Sequence, residues 1–154
     1  MIGLAIIVGV PSSSQAAMSF GPGTHLVGTD IEAGIYRAED KITYFARLSG
    51  LTGELSDIIA NSASPPPPVL VEIKPTDVAF ESKGLGQWNM IDDLYQPDPR
   101  TSFGCGWWLV GIDIVPGTYR AEGPVSYFAR LSGLGGELQD IIINALPPLG
   151  LANV

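Results

Sequence analysis

The side chains that could do chemistry are few, and most come in pairs. Asp30 and Asp113, Asp57 and Asp140, Arg37 and Arg120, and Arg47 and Arg130 each stand the same distance apart along the chain. Two carboxylates facing each other across a cleft at a defined separation can hydrolyse a glycoside. Carboxylates and guanidiniums at matched places in a strand framework more commonly pair to satisfy buried polar groups. The second reading is the expectation here, with Asp30 capping a turn. Nucleophilic catalysis needs a base beside the nucleophile. The chain has one histidine, His25, whose matching position holds Trp108, and one cysteine, Cys105. His25 reads as a strand-face or surface residue and Cys105 as a buried or capping thiol. No Cys/His cluster or calcium-loop spacing is present, so no metal and no cofactor are expected. Aromatic residues supply the sharpest binding candidates: Trp107, Trp108, Trp88 and Tyr95. Neighbouring residues of a strand point to opposite faces, so one of Trp107 and Trp108 is expected in the core and the other outside. An outward Trp beside Tyr could stack on a sugar ring or meet a protein partner; the alternative is packing between the two halves of the chain.

Those pairs exist because the chain repeats itself. Phe20–Asn61 aligns with Phe103–Asn144 without a gap, and roughly two thirds of the aligned positions are identical, far beyond a chance β pattern. LVGTDIEAGIYRAE, YFARLSGL and GEL-x-DII in the first copy become LVGIDIVPGTYRAE, YFARLSGL and GEL-x-DII in the second. The differences fall where turns or solvated faces are expected. Val115-Pro116-Gly117-Thr118 suits a type II turn, with Ala33-Gly34 as its counterpart, which makes LVG-x-DI and YRAE the arms of a hairpin. Strands are expected at His25–Val27, Tyr36–Ala38, Thr43–Leu48, Val69–Ile73 and Val78–Ser82. Glu54–Ile59 reads as one helical turn or an irregular loop, Pro65–Pro68 as an extended spacer, and Lys74–Asp77 as a turn. The predicted fold is all-β: small sandwich-like units in tandem, the first over 20–88, a linker over 89–102, and a second, incomplete unit over 103–154. Nothing after Asn144 corresponds to VLVEIKPTDVAFESKGLGQW. The chain therefore reads as a fragment, or else its second half completes its sheet on the first copy or on another chain; an open edge invites self-association.

Composition narrows the partners. With 8 basic against 16 acidic side chains the net charge is −8, and the cations are scattered singly. Nucleic acid and anionic membrane surfaces both need clustered cations and are not expected. The 19 glycines and 13 prolines fit a turn-rich β protein. Ile2–Val10 is apolar and is followed by a polar stretch and the small residues Ser14 and Ala16, the pattern of an export signal cut before Ala17. A run this short is no stable membrane anchor, which takes about 20 residues. Nothing basic precedes it, so a short buried strand is the alternative.

The string VG-x-DI-x-PG-x-YR, then ARLSG, DIIAN and a closing G-x-G-x-W, resembles a family of small exported bacterial β-domains that are often repeated. The first copy carries the whole pattern and the second its first half. The resemblance implies a fold and an address, and no activity. It also implies an optional disulfide, because the family commonly has cysteines where this chain has Thr43 and Leu85, and Ser126 in the second copy; Cys105 sits at neither place. The expectation is a secreted or surface-displayed, non-catalytic module that binds a protein or an envelope polysaccharide. A self-assembling spacer and a carboxylate-dependent hydrolase are the alternatives.

Overall fold

A computed structural model describes residues 16–146; the expected export signal falls almost wholly outside them. Eight strands precede the linker: Ser19–Phe20 (β1), Gly23–Leu26 (β2), Gly34–Ala38 (β3), Ile42–Leu48 (β4), Ile58–Ala63 (β5), Val69–Ile73 (β6), Ala79–Gly84 (β7) and Trp88–Met90 (β8). They form two antiparallel sheets, ordered β1-β8-β3-β6 and β2-β7-β4-β5. β-branched and aromatic residues dominate β4 (ITYFARL) and β6 (VLVEI), the composition that packs well on a pleated surface. The inner faces meet in one core. Tyr36, Val69, Val71 and Trp88 come from the first sheet, and Ile42, Phe45 and Phe80 from the second. Trp88 stands edge-on to Phe45 and Phe80, with ring centroids 5.6 and 5.3 Å away, and its buried indole N–H donates to Ser82 Oγ at 2.8 Å. The first unit is thus a finished two-layer sandwich.

Three local expectations need correction. LVG-x-DI and YRAE do not form a hairpin: β2 pairs with β7, while β3 lies in the other sheet between β8 and β6. The chain changes layers at Gly28, whose φ of +78° suits glycine, and Gly111 repeats this at +88°. The Leu26 carbonyl accepts from the amides of Asp30 and Ile31, and the Leu109 carbonyl from those of Asp113 and Ile114. Neither Gly34 nor Gly117 has a positive φ, so the type II turn is absent. Leu55–Asp57 does make one 3-10 turn, but the chain runs straight on into β5, which pairs with β4. The last strand, β8, also takes in Asn89 and Met90, so the linker starts later than expected. Lys74–Asp77 is a turn, with the Asp77 amide donating to the Lys74 carbonyl, and it carries the chain from one sheet to the other.

The same sequence does not give the same strands twice. Among the described residues of the second unit only Phe128–Leu131 (β9) and Ile141–Ala145 (β10) are strands, paired with each other in a sheet of their own. Gly117–Ala121, the near-twin of β3, is no strand. In the first unit β3 pairs with β6 and β8, and β2 with β7; the described part of the second unit has no counterparts of β6, β7 or β8. A strand is a ladder, and without a partner its backbone has nothing to bond to. Burial follows. Phe20 is 6% exposed and its twin Phe103 is 40% exposed.

The two phenylalanines make an internal control. Phe20→Ala is expected to cost about 3–5 kcal/mol in denaturant unfolding, the range for a core aromatic. Phe103→Ala should cost under about 1 kcal/mol. Equal losses would show that the second unit shares the core of the first.

Candidate functional site

Three of the polar residues singled out by the repeat, Arg37, Arg47 and Asp113, meet at the seam between the units, together with several that the repeat does not mark. The centre is Arg47 on β4, which is 1% exposed. Its Nε and Nη2 donate to the two oxygens of Asp77, each at 2.7 Å, a bidentate pair. Its Nη1 donates across the seam to the Gly135 carbonyl at 2.6 Å and to Glu137 at 3.2 Å. Lys74 Nζ reaches the same Glu137 oxygen at 2.7 Å. Burial opposes charge on Arg47, but its bonds to Asp77 and Glu137 outweigh that and hold its pKa above the ordinary value. Glu137 is held below the usual carboxylate range, first by Lys74 and then by Arg47.

Backbone bonds finish the seam. β6 is the last strand of its sheet. The Glu72 amide on it donates to the Leu134 carbonyl at 2.9 Å, and the Pro68 carbonyl just before it accepts from the Trp107 amide at 2.8 Å. The second unit thereby covers an edge that would otherwise be open to another chain. The contact is close at Gly106, with φ +126°, where a Cβ would lie 2.5 Å from Pro68. Part of the proline run is therefore a docking surface as well as a spacer.

A second cluster lies around Asp113. This carboxylate is buried and accepts from the Leu109 amide at 2.9 Å, Arg37 Nη1 at 3.0 Å and the Tyr95 hydroxyl. Burial, and then the bond to Asp113, pushes the Tyr95 phenol up to about 12, so it stays protonated and donating at neutral pH. Asp30, the matching residue, is exposed and caps only the Leu26 amide at 2.8 Å. Arg37 thus pairs across the units. Its guanidinium also lies 5.6 Å from the ring centres of both Tyr95 and Trp108, with Arg100 5.2 Å from Trp108.

The remaining candidates divide plainly. Trp88 is fully buried in the first core and lines no surface, which corrects its place among the ligand-binding candidates. Trp107 and Trp108 are both half-buried, so the expected split into one core and one outward ring is absent. Trp108 Nε1 donates to the Gly104 carbonyl at 3.1 Å, as His25 Nε2 does to Gly21 at 3.0 Å. Arg120 and Arg130 are exposed and make no ion pair among the described residues. Asp57 accepts from the amide and hydroxyl of Thr52, and Asp140 from the Glu137 amide, so both carboxylates hold loops. Cys105 is exposed rather than buried. Thr43 and Leu85 adjoin the register pair Ile42↔Gly84. An open cleft of about 470 Å³ runs from Ile91 past Tyr95 to Ile112, and one of about 150 Å³ lies against Arg37 and Met90. Lys74, Asp77, Gly135 and Glu137 went unmarked by the sequence reading. Glu137 does fall in the repeated GEL segment, but Lys74 and Asp77 occur once, so the repeat does not mark them.

The sequence matches the Rv1352-like extracellular domain over residues 17–89 and again over 100–152. The chain belongs to that family. Both stretches of the Rv1352-like match bracket the repeat, and the family's description places the module outside the cell. No curated protein and no solved structure matches the chain. Among the described residues no helix is long and apolar enough to cross a membrane.

Two substitutions probe the seam. Asp77→Asn leaves Arg47 buried beside a neutral partner and should cost about 3–5 kcal/mol in unfolding, whereas Arg130→Gln should stay within about 0.5 kcal/mol. Glu137 gives the pH dependence. Its folded pKa lies below the ordinary 4.5, so docking of the 134–137 loop is fully supported above 4.5 and is lost as the pH falls through the lowered value. Protection of the Glu72 amide, corrected for intrinsic exchange, should decline there. In Glu137→Gln it should be low at every pH.

Proposed function

We propose that this Rv1352-like chain is an exported, non-catalytic interaction module in which the first unit is the scaffold and the second presents the contact surface to a polypeptide. One observation carries this. Residues that the first unit buries are uncovered in the second, where Phe103, Leu131 and Ile143 are exposed while Phe20 and Ala60 are buried and Leu48 half-buried at the same places. Apolar side chains left exposed where the same fold elsewhere covers them point to a protein contact. Support for a polysaccharide ligand is thinner: Trp88 is in the core, and two guanidiniums flank Trp108. A hydrolase has less still, since Asp57 and Asp140 are both engaged in their own loops.

A peptide-display selection on the immobilised chain, run beside a polysaccharide titration read by tryptophan fluorescence, tests the reading. Peptides should be retained by the native chain and lost in Leu131→Lys/Ile143→Lys, with the unfolding of the first unit unchanged. A saturable fluorescence shift with polysaccharide, and no retained peptide, would overturn it.

A further inference from the structure

The first unit is a template for what the second lacks. β9 is the counterpart of Phe45–Leu48 on β4, and that stretch is paired on both sides, with β5 and with β7. β9 has β10 on one side, and no described strand on the other. The missing neighbour can be read from the register Arg47↔Phe80 and Leu48↔Ala79. Charge points to the same occupant. Arg47 takes both oxygens of Asp77 from the turn that joins β6 to β7, while Arg130, its twin, is exposed with no ion-pair partner among the described residues. Phe103, edge-on to Tyr119, is still 40% exposed where Phe20 packs on Phe80, 5.7 Å between centroids.

We propose that the second unit binds a polypeptide segment of the β6–β7 kind: an apolar strand and an amphipathic one joined by a tight turn whose carboxylate pairs with Arg130. The second strand adds to the free edge of β9 and sets a phenylalanine against Phe103. The proposal rests on the reading of the second unit as a contact surface and names the chemistry of the partner. Main-chain bonds along the edge supply affinity, and the carboxylate with the alternating apolar side chains supplies register and specificity.

The test uses the full chain and a synthetic peptide spanning residues 69–90. Titration calorimetry should show one saturable site. Hydrogen exchange should show new protection in Phe128–Leu131 with no loss in β4, β6 or β7 of the first unit. Asp77→Asn in the peptide, or Arg130→Gln in the chain, should weaken binding by about thirtyfold or more, as for a buried hydrogen-bonded charge pair. Combining the two should add little, because they remove one interaction. No binding, binding indifferent to both changes, or a self-associated chain that the peptide does not dissociate would overturn the proposal. Displayed peptides that need β9 and β10 while the 69–90 peptide fails would sink this inference and leave the broader reading standing. Polysaccharide binding alone would remove both.

Discussion

Both units close on the buried Arg47 guanidinium. Burying a cation costs several kcal/mol unless its donors are filled, and here filling takes three residues from two parts of the chain. Asp77 supplies two acceptors from the turn between the sheets, while Gly135 and Glu137 supply the others from the second unit. The Asp77 carboxylate also accepts from the Lys74 amide at 2.9 Å, so the turn that crosses between layers is built around the same oxygens. Removing Asp77 would strand the charge and undo the turn together. The second unit is accordingly more than an appendage, because it completes the solvation of a buried charge and covers the β6 edge in one contact.

Beyond that contact, the architecture is governed by where strands find partners. GIYRA is a strand and GTYRA is not, although the two differ at one position. Local propensity is nearly equal, so the difference lies in the ladders: β6 and β8 flank one and no described strand flanks the other. Short-range features survive the loss. The glycine turns at Gly28 and Gly111, the bond from Tyr36 to the Glu32 carbonyl and from Tyr119 to Val115, and the loops under Asp57 and Asp140 recur in both units. Each closes within a few residues and needs nothing from afar.

That division explains what was legible in the sequence. The duplication, the all-β class and the β6 boundaries could be read because they rest on composition, periodicity and self-similarity. The false hairpin came from treating proximity in sequence as pairing. Val27 and Tyr36 are neighbours along the chain, but the loop at Gly28 sends them into different layers, and no short pattern distinguishes a turn within a sheet from one between sheets. The seam was hidden for another reason. The repeat drew attention to Arg37 and Arg47 and to the duplicated aspartates, without saying which carboxylate each guanidinium meets. Arg37 meets Asp113 from the other unit, and Arg47 meets Asp77, which has no duplicate. Identity between copies marks what each unit does for itself, whereas contacts between copies use the positions where they differ in surroundings.

The half-unit therefore carries a particular imbalance. Its polar groups are largely satisfied: Asp113 holds three donors, Ser132 and Asp140 close the 133–140 loop, and Glu137 is fixed by Lys74 and Arg47. Its exposed apolar side chains and Arg130 are not, because in this fold those are answered by long-range strands. Such a surface needs little ordering on binding, since the loops that frame it are already held, and ordering is a main cost of association. What remains to be gained is hydrophobic burial, one strand ladder and one ion pair. Those are the terms that the first unit already collects from β6 and β7.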